Sequence, residues 1–197
     1  EGGAAVVEFI DGKMVAHTGK GLPHKLITND TCDTSLAFLA QHEGFGGNKP
    51  IRQGSHNSLD RFAIAADRLK GYEFDGSTES AIQYAFTTLA AVRQGDATKW
   101  SIVYDLKDLG IHYKTERCQE PRIVRLKDLD FGPQTPVRMV SINTPHTGLL
   151  NPHFADYDPD LNEWLIYYCI RHAPMLSLIP DQLLEQLAHY PETTISK

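Results

Sequence analysis

The sequence has no apolar run near the roughly 20 residues that span a bilayer, so no membrane helix is predicted. It has no dense cluster of Lys or Arg, and its formal net charge is -6. Nucleic-acid binding needs a concentrated basic face, so that class of partner is excluded. Cys32, Cys118 and Cys169 are odd in number and widely spaced, which fits neither a disulfide framework nor a CxxC zinc site. We expect three reduced, mostly buried thiols.

Common catalytic and metal-binding motifs are also missing. There is no GxSxG nucleophile elbow, no GxxxxGK[ST] phosphate loop and no GxGxxG fingerprint. The nine histidines never occur at HxxH or HxxxH spacing. The acidic run at 156–160 lacks the Gly and Glu of a calcium loop, because Leu161 and Tyr167 stand at those positions. We expect this run to form a helix-capping turn, and we predict neither a metal nor a cofactor.

What is present indicates one mixed α+β domain over residues 1–197. With 41% hydrophobic residues, the chain has enough apolar material for a core. Strand-like runs at Ala4–Ile10 and Lys13–His17 flank Asp11-Gly12, which is the strongest short-range hairpin signal. Lys25–Thr28 is predicted to be a third strand, ending at Asn29. The order of elements favours mostly antiparallel sheets with helices on their outer faces.

Further elements follow from caps and periodicity. Three helices are predicted first, one over Thr34–His42 capped by Asp33, one capped by Asn57 or Ser58, and one capped by Ser77 and stopped by Gly95. The second of these ends at Gly71, and the GFGG segment at 44–47 is expected to be a flexible connection. The remaining predicted elements are the strands Trp100–Leu106, Ile111–Thr115, Arg122–Leu126 and Val137–Asn143, the helices Leu161–His172 and Pro180–His189, and a frayed tail PETTISK.

Asn29 and Arg61 form the candidate site, because their side chains are chemically useful if the fold brings them together. An Asn amide at a strand exit can donate to a developing oxyanion, and an Arg at a helix start can lower the pKa of a thiol. The alternatives are an Asn that fixes a turn and an Arg on a helix surface. Cys32 is a local candidate nucleophile, with His24 and His42 as nearby bases; the alternative is a small buried residue.

Five short segments occur together in a specific order: EFIDGK, TND at 28–30, GSHNSLDRF at 54–62, TKWSIVYDLKDLGIHYKTE at 98–116 and LKDLDF at 126–131. In order and spacing they resemble the choloylglycine hydrolase family, which contains conjugated bile-acid hydrolases and penicillin V acylases. The resemblance runs along nearly all of this chain, but it corresponds only to the C-terminal part of the family's usual length.

The resemblance implies an αββα four-layer sandwich of the N-terminal-nucleophile type, here incomplete without its N-terminal strands. It implies cleavage of linear, non-peptide amide bonds by a Cys at the start of the mature chain. The base would be that residue's own α-amine, which titrates near about 8. The resemblance places Asn29 in the oxyanion hole and Arg61 beside the nucleophile.

Residue 1 is Glu, so the resemblance also implies a missing nucleophile. We expect the Cys on a companion N-terminal chain, because the first hairpin would otherwise expose sheet edges; a truncated, inactive piece is the alternative. The implied partners are a small amide substrate with an apolar acyl group and further copies of the chain, as a homo-oligomer that is tetrameric in the family. A bacterial periplasmic or cytoplasmic location is expected.

Two other functions stay open. A relative that has lost its thiol would be a catalytically inactive binding protein on the same scaffold. The short segment between Asn29 and Arg61 looks more like the Gram-negative branch of the family, whose members include N-acyl-homoserine lactone acylases as well as penicillin V acylases. Those lactones are therefore an alternative substrate class.

Overall fold

A computed structural model of the chain describes residues 3–193. The strands are β1 (Ala5–Ile10), β2 (Lys13–Thr18), β3 (Trp100–Asp105), β4 (Gly110–Thr115), β5 (Cys118–Arg125), β6 (Arg138–Met139), β7 (Gly148–Leu149) and β8 (Ala155–Asp156). The helices are α1 (Cys32–Leu39), α2 (Ser58–Lys70), α3 (Thr78–Ala91), α4 (Pro159–Arg171), α5 (Asp181–Ala188) and α6 (Tyr190–Thr193). The mixed α+β class is confirmed. None of the described helices is both long enough and apolar enough to span a membrane.

The chain divides into two compact units. The first runs to Asp105 and adds Ile111–Pro121, and the second consists of Leu106–Gly110 and the residues from Arg122 onward. The assignment of all 197 residues to one domain therefore stays a prediction.

The hairpin that opens the first unit is confirmed. Strands β1 and β2 pair antiparallel, and Asp11 and Gly12 both have positive φ, 50° and 75°. A two-residue turn of this kind matches the twist of the flanking strands. One face of the hairpin leaves Val7, Phe9 and Met14 exposed, whereas the residues that alternate with them are partly buried.

Helices α1 and α2 enclose the core of the first unit. The buried residues of this core are Leu39, Phe62, Ala63 and Ala66. Helix α2 begins after Asn57, whose side chain accepts hydrogen bonds from the N–H groups of Leu59 and Asp60. The predicted cap and the predicted end at Gly71 are both confirmed.

Helix α1 begins two residues earlier than predicted. Its N-cap is Thr31, whose hydroxyl accepts from the N–H of Thr34, and not Asp33. Asp33 lies inside the first turn, where a carboxylate is favoured by the helix dipole. Both Asp33 and Thr31 suit a helix start, and the extended backbone of Thr31 decides between them.

The predicted strand Lys25–Thr28 is wrong. The structure gives this segment no regular secondary structure, and Ile27 is 56% exposed. A strand needs a neighbouring strand for its backbone groups, and no described strand pairs with this segment. Its short apolar run predicts a strand, but a strand forms only where its backbone groups pair with a neighbour.

The GFGG segment lies in a hydrogen-bonded turn, and its expected flexibility stays a prediction. The N–H of Glu43 donates to the Lys49 carbonyl at 2.9 Å, and the N–H of Lys49 donates to the Gln41 carbonyl at 3.0 Å. A Cβ added at Gly47 would lie 2.1 Å from the backbone of Gln41. The glycine therefore allows a close backbone approach.

Helix α3 and the strands after it complete the first unit. Ser77 caps α3 as predicted, by accepting from the N–H of Ser80, but the helix ends at Ala91, before Gly95. Strands β3 and β4 are confirmed around the predicted turn at 107–110.

Of the two strands predicted after residue 121, one is shorter than predicted, and the other, β5, begins earlier, at Cys118. Of Val137–Asn143, only β6 is a strand, paired antiparallel with β8. Strand β5 pairs in parallel with β7 through Arg122 and Ile123, whereas β1 with β2 and β6 with β8 pair antiparallel, in agreement with a mostly antiparallel expectation. Asp158 caps α4 by accepting from the N–H of Leu161, so the acidic run is a capping turn. In the predicted frayed tail, residues up to Thr193 belong to α6 and 194–197 lie outside the described residues.

Candidate active site

Arg61 is the fourth residue of α2, immediately before a buried run. Phe62 to Ala66 are all buried, with Phe62 only 1% exposed. Tightly packed side chains allow little displacement, so this run fixes the helix turn that carries Arg61. The Asn57 cap fixes the same turn from its N-terminal side.

Ser58 anchors the segment that carries Asn29. Its hydroxyl accepts from the N–H of Asn29 at 2.8 Å and from the N–H of Asp30 at 3.1 Å, and it donates to the hydroxyl of Thr28 at 3.0 Å. One donor and two acceptor sites are all that a hydroxyl has, so every hydrogen-bonding site of Ser58 is used. The sequence predicts Ser58 only as a possible helix cap, and nothing local in the sequence indicates this anchoring contact.

Asn29 and Arg61 meet directly. The guanidinium Nη2 of Arg61 donates to Oδ1 of Asn29 at 2.6 Å, across 32 positions of sequence. Because Oδ1 accepts this bond, the amide NH₂ of Asn29 is the donor that it can offer to another molecule. The Nε of Arg61 is buried and has no hydrogen-bond acceptor among the described residues. The pair thus combines an oriented amide donor with an incompletely satisfied cation, which suits an oxyanion, a thiolate or a carboxylate.

Cys32 lies in a different environment, beside the first hairpin. Its N–H donates to the Glu8 carboxylate at 3.0 Å and 3.2 Å, and Glu8 also binds Nε2 of His17 at 2.8 Å. Burial raises the pKa of the Cys32 thiol, and the charges of Glu8 and Asp33 raise it further. A thiol held protonated is a weak nucleophile.

The two histidines predicted as bases for Cys32 bind elsewhere. Nδ1 of His42 is 3.0 Å from the Phe38 carbonyl, and the ring of His24 packs edge-on against Phe45. Sequence reasoning missed Glu8 as the partner of the Cys32 backbone. The sequence does contain a signal for this contact. Glu8 is an acidic residue on the partly buried side of β1, where a carboxylate needs a partner.

The three thiols differ in exposure. All are free, but only Cys32 is buried; Cys118 is partly buried and Cys169 is exposed. The expectation of mostly buried cysteines is therefore wrong. Within residues 3–193, no group of three or more His, Cys, Asp or Glu side chains is arranged to hold a metal ion.

Comparison with known proteins finds similarity to a curated protein and to a solved structure, and both are named penicillin V acylase. The chain is 28% identical to penicillin V acylase of Pectobacterium atrosepticum, in a match that covers 68% of this chain and 41% of the relative. The penicillin V acylase structure from Agrobacterium tumefaciens shares its fold, with a TM-score of 0.67 and 24% identity over 80% of this chain and 54% of that one. No protein-family model matches the sequence.

The chain thus spans about half of the solved structure, and less than half of the curated relative. Over part of its length, the chain is similar in sequence to one penicillin V acylase and in fold to another, in agreement with the resemblance to the choloylglycine hydrolase family.

Proposed function

We propose that this chain is part of a hydrolase of linear, non-peptide amide bonds, in which Asn29 stabilises the oxyanion and Arg61 lies beside an N-terminal Cys nucleophile. That Cys would come from a segment or chain outside these 197 residues. The observation that carries the proposal is the 2.6 Å bond from Arg61 to Oδ1 of Asn29, together with the unpartnered, buried Nε of Arg61.

The Asn29 amide suits an oxyanion hole because its orientation is set before any substrate binds. Arg61 holds Oδ1, and Ser58 holds the backbone of the same residue. A preorganised donor needs no rearrangement when negative charge develops on the substrate carbonyl oxygen. Removing such a donor costs about 10² to 10³ in kcat.

Arg61 suits the surroundings of a thiolate. The buried Nε–H of Arg61 has no acceptor, which costs roughly 1–3 kcal/mol, and a neighbouring anion that accepts from it would remove that cost. The guanidinium is always charged, so it would favour the thiolate and disfavour protonation of a nearby α-amine. That amine would take the thiol proton, the sulfur would attack the amide carbon, and the departing amine would receive the proton. Water would then hydrolyse the thioester to release the acid.

The position of Cys32 argues against the competing choice of nucleophile. Burial raises the pKa of its thiol, and the negative charges of Glu8 and Asp33 raise it further, so a thiolate is disfavoured there. The exposed apolar face of the first hairpin, with Val7, Phe9 and Met14, supports a further layer supplied by the rest of the protein. An αββα four-layer sandwich would provide that layer.

The proposed substrate is a small amide with an apolar acyl group. The penicillin V acylase named among the relatives makes penicillin V the first compound to test, with N-acyl-homoserine lactones as the variant class. The mechanism above requires no cofactor. Assembly into a homo-oligomer and location in the bacterial periplasm or cytoplasm stay predictions.

The substitution Asn29→Asp tests the mechanism in the intact protein. Every polypeptide in the preparation is also sequenced from its N-terminus, to find whether one of them begins with Cys. Aspartate keeps an acceptor for Arg61 but replaces the amide donor with an oxygen. We expect kcat for penicillin V hydrolysis to fall by at least about 10² while the melting temperature is retained. The control is Asn48→Asp, which makes the same charge change at an exposed position of the same unit.

Two results would contradict the proposal. If Asn29→Asp leaves turnover unchanged, Asn29 has no part in stabilising an oxyanion. If no polypeptide in the preparation begins with Cys and no amide substrate is hydrolysed, the protein is a binding protein on this scaffold.

A further inference from the structure

A cavity lies in the first unit, between α3 and the strands β3 and β4. Its volume is about 190 Å³, and we call it the α3 pocket. The lining residues that matter below are Phe86, Arg93, Trp100, Lys114, Glu116 and Gln119. Neither Asn29 nor Arg61 lines it, so it is separate from the candidate active site.

The α3 pocket carries more positive charge than its own carboxylate can balance. Lys114 is partly buried, and its Nζ lies 4.9 Å from the ring centroid of Phe86. Arg93 donates to the Gly95 carbonyl at 3.5 Å. Within residues 3–193, neither cation forms an ion pair with a carboxylate. Glu116 is already paired, because Lys99 binds its carboxylate at 2.7 Å.

The remaining lining is aromatic and amide in character. Phe86 is 6% exposed and forms an apolar wall, whereas Trp100 is 56% exposed. Gln119 adds an amide that can donate to an oxygen atom. Small-molecule sites combine apolar walls with a few polar groups in this way.

We propose that the α3 pocket binds a small organic carboxylate with an aromatic or branched apolar body. A partly buried ammonium is stabilised by an anion, and the carboxylate would lie between Lys114 and Arg93. The apolar body would contact Phe86 and Trp100. A cationic ligand is excluded, because the ammonium of Lys114 already occupies the face of the Phe86 ring.

Phenylacetate is the probe, and Trp100 is the reporter. We expect phenylacetate to quench the tryptophan fluorescence of the intact protein in a saturable way. The quenching should be lost in Trp100→Phe. It should be kept in Trp164→Phe, the control, which removes a tryptophan of the second unit. Calorimetry should give a dissociation constant at least about tenfold weaker for phenylacetamide, the uncharged isostere.

Charge at Lys114 provides the second test. Lys114→Met keeps the apolar stem and should weaken phenylacetate binding by about tenfold, and Lys114→Arg should restore it. The matched control is Lys70→Met, which removes the same kind of contact, because Lys70 Nζ lies 5.0 Å from the ring centroid of Phe45 outside the pocket. The proposal is overturned if no Trp100-dependent signal appears, if phenylacetamide binds as tightly, or if Lys70→Met weakens binding as much as Lys114→Met.

Discussion

Helices α2 and α4 are both 13 residues long, and each is capped by an Asx side chain, Asn57 or Asp158. Their surroundings nevertheless differ completely. Helix α2 has five consecutive buried residues, whereas α4 has none. Trp164 and Tyr168 of α4 are 56% and 49% exposed, and they stack on each other.

The difference separates what a helix sequence determines from what its neighbours determine. Caps and periodicity are enough to start and stop both helices. Burial depends on another packed surface, which α2 finds against α1 and α3 in the first unit. The candidate active site lies on the better-packed helix, as expected where a reactive geometry must be held within a fraction of an ångström.

The comparison predicts a large difference between two aromatic truncations. Phe62→Ala should lower the free energy of unfolding by about 3–5 kcal/mol, because it leaves a cavity in a closed core. Trp164→Ala should lower it by less than about 1 kcal/mol, because its side chain is largely exposed. Urea denaturation followed by circular dichroism measures both. If the two costs are equal, α4 is buried in the intact protein and the contrast is wrong.

Ser58→Ala should have an intermediate effect, concentrated at the site. It removes the acceptor of two backbone N–H groups, those of Asn29 and Asp30, and should lower the free energy of unfolding by about 1–3 kcal/mol. It should also reduce turnover of an amide substrate, since Asn29 loses its anchor. The control is Ser177→Ala, whose hydroxyl donates to a single carbonyl, that of Pro174, in the second unit. A loss of stability without a loss of turnover would show that Ser58 does not position Asn29.

The sequence predicted best where structure is local. The Asp11-Gly12 turn and the caps Asn57 and Ser77 depend on residues within a few positions, and all three are confirmed. Strand predictions were wrong where a segment has no partner strand. Lys25–Thr28 and most of Val137–Asn143 find no paired neighbour among the described strands.

The candidate site was predictable only in part. The resemblance indicated Asn29 and Arg61 together, and the structure brings them into contact. The resemblance did not indicate that Ser58 anchors Asn29, 29 positions away, or that Glu8 binds the backbone of Cys32, 24 positions away. In neither contact is the partner visible in the local sequence. The catalytic roles of Asn29 and Arg61 stay predictions until turnover is measured.

The smallest expected effect is a difference in alkylation rate between two thiols, that of Cys32 in the first unit and that of Cys169 in the second. Iodoacetamide at pH 8 should label the exposed Cys169 at least about tenfold faster than Cys32, whose burial and raised pKa keep it protonated. Mass spectrometry of peptides from partly labelled protein gives both rates. Equal labelling would mean that Cys32 is accessible and would reopen it as a candidate nucleophile.

The raised pKa of Cys32 also sets the sign of a stability change with pH. Below about 8.5, the thiol is protonated in the folded and unfolded chains alike, so it adds no pH dependence. Above that pH, the unfolded chain loses the proton while the folded chain keeps it. The free energy of unfolding therefore falls as pH rises, until the folded thiol also ionises. Cys32→Ala should flatten this fall in stability with pH, and Cys169→Ala should not. Denaturation curves between pH 7.5 and pH 10 measure the pH dependence of both variants. An identical slope in both would mean that burial of the Cys32 thiol does not cause the fall.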